Sequence, residues 1–264
     1  MKKIIYPVLL VVLSGIFIVS AWQIVQIYRE YQTSVDSYSS LAQYISVPES
    51  RGAENTDDIQ GEPSQTENSA AETMDAISWP SVDFDALREI NPDVVAWIYI
   101  AGTNVHYPVV HGADNSYYLT HLFDGTPNSS GCIFLEQDTP GDFSAQNNVL
   151  HGHHMKNGTM FADITGYKQQ DFYDSHPVAL LLTPERNYKV LLFSGYVAST
   201  TDNAWDPYFY PEDYGGWLEF ISSRSDFACS VHPTTADRIL TLSTCSYEFE
   251  DARYVLHGIL KEAQ

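Results

Sequence analysis

Three histidines fall within four positions of NNVLHGHHMKNGTMF, residues 147–161: His151, His153 and His154. Imidazoles at that density serve a metal ion or move protons. A metal site needs three or four convergent ligands held by a further shell of partners. His151 and His153 share a face if a strand continues through them, and no further ligand is evident nearby. Far downstream, RILTLSTCSYEFEDARYVLHG (238–258) sets Cys245 at the end of an apolar run. A lone cysteine by itself reads as a small buried hydrophobe. Here three features point toward reactivity. Thr241, Ser243 and Thr244 make the end of the run polar. Cys245 falls where loop-borne chemistry is carried by a rigid strand. Arg253 follows eight residues later, and a tight antiparallel return would set its cation beside the thiol, favouring thiolate. The competing reading of Arg253 is a surface salt bridge to Glu248, Glu250 or Asp251. A cysteine nucleophile also needs a base or imidazolium partner, for which His151, His153 and His154 are candidates. The remaining histidines, His106, His111, His121, His176, His232 and His257, read as structural or exposed.

The elements that must position these groups are mostly strands. Strand-like runs occupy residues 94–100, 106–110, 131–135, 147–151, 176–182, 188–198, 238–244 and 253–260, several of them separated by turns rich in Gly, Pro, Asn and Asp. FDALREI (84–90) reads as a short helix capped by Asp83 and ended by Asn91-Pro92. Further helix is expected only near 159–173 and 215–225. Many short strands with few helices predict a closed or nearly closed β-structure.

The amino end is different. Lys2 and Lys3 precede an uncharged stretch from Ile4 to Tyr28. A helix needs about 20 mostly apolar residues to cross a bilayer, and the two lysines favour a cytoplasmic start. Val19-Ser20-Ala21 would suit signal cleavage, but the run exceeds the roughly 7–15 residues of a signal core, which favours a retained anchor. The expected organisation is a cytoplasmic end over 1–3, a transmembrane helix over 4–25 and a stalk helix over 26–47. Ile27, Tyr31, Val35 and Tyr38 would form one stripe of that stalk. Residues 48–78 carry eight acidic residues and one arginine; such a segment buries too little apolar surface to offset its ordering entropy and is expected to be a flexible acidic linker. The folded domain follows over 79–264. The net charge of -21, from 34 acidic and 13 basic residues, excludes nucleic acid as a partner. Cys132, Cys229 and Cys245 are an odd set, so at least one thiol is free unless it pairs with another chain; a Cys132–Cys229 bridge stays open.

The blocks NPDVVAWIYIAGTNVHYPVVHGADNSYYLTHLFDG (91–125), SGCIFLEQD (130–138), NNVLHGHHMKNGTMF (147–161) and TLSTCSYEFEDARYVLHG (241–258), in that order, resemble the class B sortases of Gram-positive bacteria. The resemblance runs from about residue 84 to 261. It implies an eight-stranded sortase-type β-barrel, mainly β, with amino-terminal helices and a helix in a long loop, preceded by one transmembrane helix. It assigns the catalytic imidazole to His153, the nucleophile to Cys245 and the supporting cation to Arg253. His151 then becomes strand packing or pocket lining, and His154 a solvent-exposed residue. Asn115, Leu119 and Ser243 match the family's substrate groove. SGYVASTTDNAWDPYFYPEDY (194–214) corresponds to the loop that walls it, in which Thr201 is placed. Ser246 stands where some members carry an acid. No cofactor or metal is implied. The implied activity is a cysteine transpeptidase that cleaves a carboxy-terminal sorting signal after threonine, holds the product as a thioester, and passes it to a peptidoglycan precursor or cell-wall peptide amine. A backbone N–H near Cys245 or Ser246 would help to stabilise the oxyanion. The implied setting is the outer face of the cell membrane, with a single span and a monomeric catalytic domain. A hydrolytic cysteine peptidase and a pilus-assembly sortase would use the same pieces.

Overall fold

A computed structural model describes residues 2–48 and 79–263. Most of the expected acidic linker therefore lies outside the described residues. The chain opens with α1 (Lys2–Leu41), a helix long and apolar enough over its first part to cross a membrane. A 3-10 turn, Ala42–Tyr44, leads into β1 (Ile45–Ser46), which pairs antiparallel with β2 (Ser81–Val82). The stalk stripe begins one turn later than its sequence pattern indicates. Ile27 is exposed, whereas Tyr31, Ser34, Val35, Tyr38 and Leu41 turn toward the protein. Next comes α2 (Phe84–Ile90), whose Asp83 side chain accepts from the Ala86 N–H at 3.0 Å, as its capping role requires.

Eight strands close a barrel: β3 (Val94–Tyr99), β4 (His106–Val110), β5 (Ile133–Leu135), β6 (Asn147–His151), β7 (Val178–Leu182), β8 (Asn187–Ser199), β9 (Ile239–Cys245) and β10 (Ala252–Glu262). They lie in the order β10-β8-β7-β3-β4-β5-β6-β9. Two neighbouring pairs, β4–β5 and β6–β9, are parallel, and the rest are antiparallel. Each expected strand forms, with ends shifted by a residue or two. The larger change is at Gly131, which adopts a φ of +59° beside the Tyr118 backbone and belongs to a turn, so that β5 starts only at Ile133. Of the two expected helical intervals, the first resolves into a 3-10 segment, Ala162–Lys168, and a short α3 (Gln170–Ser175). The second, α4 (Pro211–Ser223), starts earlier than expected. Pro211 suits the first turn because its missing N–H would be unpaired there anyway.

Strand side chains alternate faces, and both faces of this barrel are covered. Ile98, Ile133, Leu150, Leu240, Leu242 and Leu256 fill the interior. On one outside wall Trp97, Phe134 and Leu180 pack under Leu41, Ile45 and Leu87 of the amino-terminal layer. On another, Phe193, Ile239, Val255 and Ile259 pack under Trp217, Leu218 and Ile221 of α4. The seam between these two outer layers runs over β5, β6 and β9, and the groove lies there.

Candidate active site

Alternation puts Ile239, Thr241, Ser243 and Cys245 of β9 on the outer face, with Arg253, Val255 and His257 of β10 beside them. Cys245 is the direct partner of Arg253. The Ser246 N–H donates to the Ala252 carbonyl at 2.9 Å, making that next pair the hydrogen-bonded one. Cys245 and Arg253 are therefore a non-hydrogen-bonded pair, in which opposing side chains come closest. The connection between the strands is the tight return that the sequence suggested. Arg253 does not form the alternative salt bridge. Glu248 is paired with Lys168, and Arg253 donates through Nη1 to the Ala252 carbonyl at 3.0 Å.

His153 arrives from the opposite side. β6 runs parallel to β9 with His151 level with Ser243. The Gly152 N–H donates to the Ser243 carbonyl at 3.1 Å, and Thr244 Oγ1 donates to the Gly152 carbonyl at 2.8 Å. Any side chain at residue 152 would displace its neighbours. A Cβ there would stand 2.4 Å from Ile133 Cδ1 and 2.7 Å from the Phe161 ring. This close passage carries the chain from β6 to His153 at the level of Cys245. His153 Nε2 lies 2.8 Å from the Leu119 carbonyl, which can only accept, so Nε2 carries a proton and Nδ1 is left for the thiol. Hydrogen bonding to Cys245 is the main cause that raises the His153 pKa; burial opposes it and the Leu119 carbonyl assists. The Cys245 pKa is lowered in turn, first by hydrogen bonding to His153, against burial, and further by the Arg253 charge. Each of the two groups thus favours the charged form of the other.

Two neighbours differ from expectation. His154 is half-buried rather than solvent-exposed, because its Nδ1 sits 3.1 Å from the Cys245 carbonyl and its ring faces Tyr247 at 5.4 Å. Of the backbone N–H groups near Cys245 and Ser246 expected to serve the oxyanion, that of Ser246 is already committed to the Ala252 carbonyl. The Ser246 hydroxyl donates to Glu248 and accepts from Lys168 Nζ at 3.2 Å. Lys168, Ser246 and Glu248 thus form a clasp on the β9–β10 turn.

A groove of about 480 Å³ holds Cys245, His153 and Arg253 together with Asn115, Leu119 and Ser243. Thr201 is exposed and bonded to Ser199, and the loop residues lining the groove are its neighbour Thr200 and Trp205. Ser243 Oγ accepts from Trp205 Nε1 at 2.9 Å, which draws the long loop over the floor. Glu136 was not evident as a groove residue in the sequence. It accepts from Asn115 and lies 2.9 Å from His151 Nε2. Burial works against its charge, but the His151 and Asn115 bonds outweigh it and hold the carboxyl below its ordinary range. Only the β5–β6 pairing brings Glu136 to His151, so no local spacing signals it. The three clustered histidines thus take three separate partners: Glu136, Leu119 and Cys245. Among the described residues, no three His, Cys, Asp or Glu side chains gather as metal ligands. All three cysteines are free, Cys132 buried beneath the amino-terminal layer and Cys229 against the Phe193 carbonyl at 3.3 Å.

The sortase-domain family model matches residues 98–261. Over 178 residues the chain is 35% identical to sortase B of Listeria monocytogenes, covering 66% of this chain and 72% of that protein. A Staphylococcus aureus sortase B–substrate complex is similar in structure, with a TM-score of 0.65 and 32% identity over 69% of this chain and 85% of that one. Clostridium perfringens sortase B gives a TM-score of 0.64 and 35% identity, over 67% of this chain and 99% of that one.

Proposed function

The chain belongs to the sortase family, and within it to the class B sortases of Gram-positive bacteria; from that premise we propose that Cys245, His153 and Arg253 carry out its chemistry. The enzyme is a membrane-anchored cysteine transpeptidase acting on sorting signals, with α1 as its single span and the barrel outside. The convergence of Cys245, His153 and Arg253 in one groove is the observation that carries the assignment.

The signal peptide lies along the groove with its threonine carbonyl over Cys245. The thiolate attacks that carbon and a tetrahedral oxyanion forms. Donors fixed in advance stabilise this charge more than they stabilise the planar carbonyl. With the Ser246 N–H occupied, the Arg253 N–H groups not bound to Ala252 are the donors at hand. The imidazolium of His153 gives its proton to the departing amine as the C–N bond breaks. A thioester remains on Cys245. An amine of the wall peptide then attacks it, His153 takes up the amine proton, and sulfur leaves as thiolate. The new amide joins the secreted protein to the wall.

Asn115, Leu119, Ser243 and Thr200 hold the signal. Glu136, His151 and Asn115 form a polar patch at the level of Ser243, two residues from Cys245 along β9. At about 3.4 Å per strand residue, that patch lies about 7 Å along the groove from Cys245 and faces a side chain next to the scissile bond. Product analysis tests the assignment: with an amine present, a signal peptide yields the amide-linked product. Release of free acid alone, at the same rate with and without amine, would refute transpeptidation.

A further inference from the structure

α1 does more than leave the membrane. Its last turns dock on the segment that buttresses the groove wall. Glu30 offers its backbone carbonyl to Asn128 Nδ2 at 2.9 Å and its carboxylate to the Ser129 N–H at 2.7 Å. Two turns on, the Tyr38 hydroxyl donates to the Gly131 carbonyl at 2.6 Å. Gly131 presses directly on the wall: a Cβ there would lie 2.5 Å from the Tyr118 carbonyl oxygen and 2.9 Å from that of Leu119. The Cys132 N–H donates to the Tyr118 carbonyl at 2.8 Å. The Leu119 carbonyl is the group that faces His153 Nε2. One path thus runs from Tyr38 through Gly131 and Leu119 to the His153 ring.

A second path reaches the His153 backbone. The Tyr38 ring meets Tyr107 edge-on, with centroids 5.2 Å apart. The Tyr107 hydroxyl accepts the Met160 N–H at 2.9 Å. Met160 holds a φ of +59°, a region that a methionine occupies only when its surroundings impose it. The next N–H, of Phe161, donates to the His153 carbonyl at 2.9 Å. Both paths begin at one tyrosine in the juxtamembrane helix; one ends on the imidazole of His153 and the other on its backbone carbonyl.

We propose that Tyr38 is a positioning residue for His153, so that the helix emerging from the membrane forms part of the active site and its seating on the barrel completes the catalytic geometry. This rests on the reading of His153 as the proton-transfer group. Displacements well under a hydrogen-bond length at such a group lower rate more than binding. Loss of the clamp should therefore lower kcat with little change in KM, and should weaken the hold of His153 on the thiolate.

The test uses the full chain in detergent micelles or nanodiscs. Tyr38→Phe removes the bond to Gly131 and keeps the ring; Tyr107→Phe removes the acceptor for Met160. Leu260→Ala, seven residues beyond Arg253 on β10, is the control for general destabilisation. Turnover of a signal peptide, the pH dependence of Cys245 alkylation by iodoacetamide, and Tm are measured for each. Each tyrosine variant is expected to lose roughly three- to tenfold in kcat, the size of one lost positioning hydrogen bond, with KM within twofold and the alkylation midpoint moved to higher pH. Leu260→Ala is expected to lower Tm at least as far while leaving kcat and the midpoint in place. Tyrosine variants with wild-type kcat and midpoint would overturn the proposal, as would equal losses in Leu260→Ala. His153→Ala separates the two readings. If it is inactive while the tyrosine variants are normal, only the clamp fails; if it is active, both fail.

Discussion

Replacing Arg253 by lysine keeps the positive charge and removes the planar fork. In this site the difference should be large. Arg253 and Cys245 face each other across a non-hydrogen-bonded strand pair, where Cα atoms stand about 4.5 Å apart. One guanidinium nitrogen is tied to the Ala252 carbonyl, which fixes part of the fork while its charge acts on the thiol. A lysine ammonium can occupy the carbonyl or the oxyanion position, but it cannot hold both in a fixed geometry. The loss is therefore one charge-assisted, preorganised donor at the oxyanion, about 2.5–4 kcal/mol by comparison with other oxyanion sites. At about 1.4 kcal/mol per decade, kcat/KM should fall roughly 10²- to 10³-fold. The fold should persist, because Arg253 is only half-buried and among the described residues forms no ion pair. The assay is cleavage of a fluorogenic signal peptide alongside a thermal melt. A kcat/KM within about threefold of wild type, with Tm unchanged, would refute the oxyanion role of the fork.

Three further outcomes are expected. His153→Ala should move the pH midpoint of Cys245 alkylation upward, since hydrogen bonding to His153 is the main cause of the lowered thiol pKa; an unmoved midpoint would show that Arg253 alone sets it. The Glu248 pKa is pulled down to about 2, first by Lys168 and then by Ser246. A depressed carboxyl pKa contributes stability that is present above the unfolded value, about 4.3, and is lost as pH falls through the folded one. Glu248→Gln should therefore flatten part of the decline in Tm between about pH 4.5 and 2, by a small amount because this pair is partly exposed and solvent-screened; differential scanning fluorimetry across that range checks it. Gly152→Ala forces a methyl against Ile133 and Phe161. Overpacking of that kind costs about 1–3 kcal/mol, or roughly 2–10 °C in Tm for a domain of this size, and turnover should fall with it because His153 is the next residue.

A closed β-structure was legible because many short apolar runs are separated by Gly, Pro, Asn and Asp turns with few helical intervals, and Asp83 marks a helix start; both faces of the barrel are covered, so its strands read as runs rather than as alternation. What blurred was punctuated by backbone geometry. Gly131 looks like strand in sequence and is a left-handed turn residue pressed on Tyr118. Residues 159–173 carry a helical pattern yet split into a 3-10 segment and α3. Pro211 and the acidic pair Glu212 and Asp213 mark the true start of α4 and were available as a signal. At the site, residue types limited the chemistry to a thiol, a cation and an imidazole. The choice of His153 came from resemblance alone, since spacing treats the three histidines alike. The structure adds the physical reason: the glycine passage at residue 152 brings His153 level with the thiol, while His151 turns to Glu136 and His154 to the Cys245 carbonyl. Glu136, Trp205 and Thr200 enter the groove only through strand pairing and the folded loop.

Intact-protein mass analysis after mixing the enzyme with a signal peptide in the absence of amine tests the central claim most directly. The expected result is an adduct of the acyl fragment that maps to Cys245, is released by hydroxylamine or an added amine, and is missing in Cys245→Ala. An adduct on another residue, or cleavage that persists in Cys245→Ala, would contradict the assignment of Cys245 as the nucleophile.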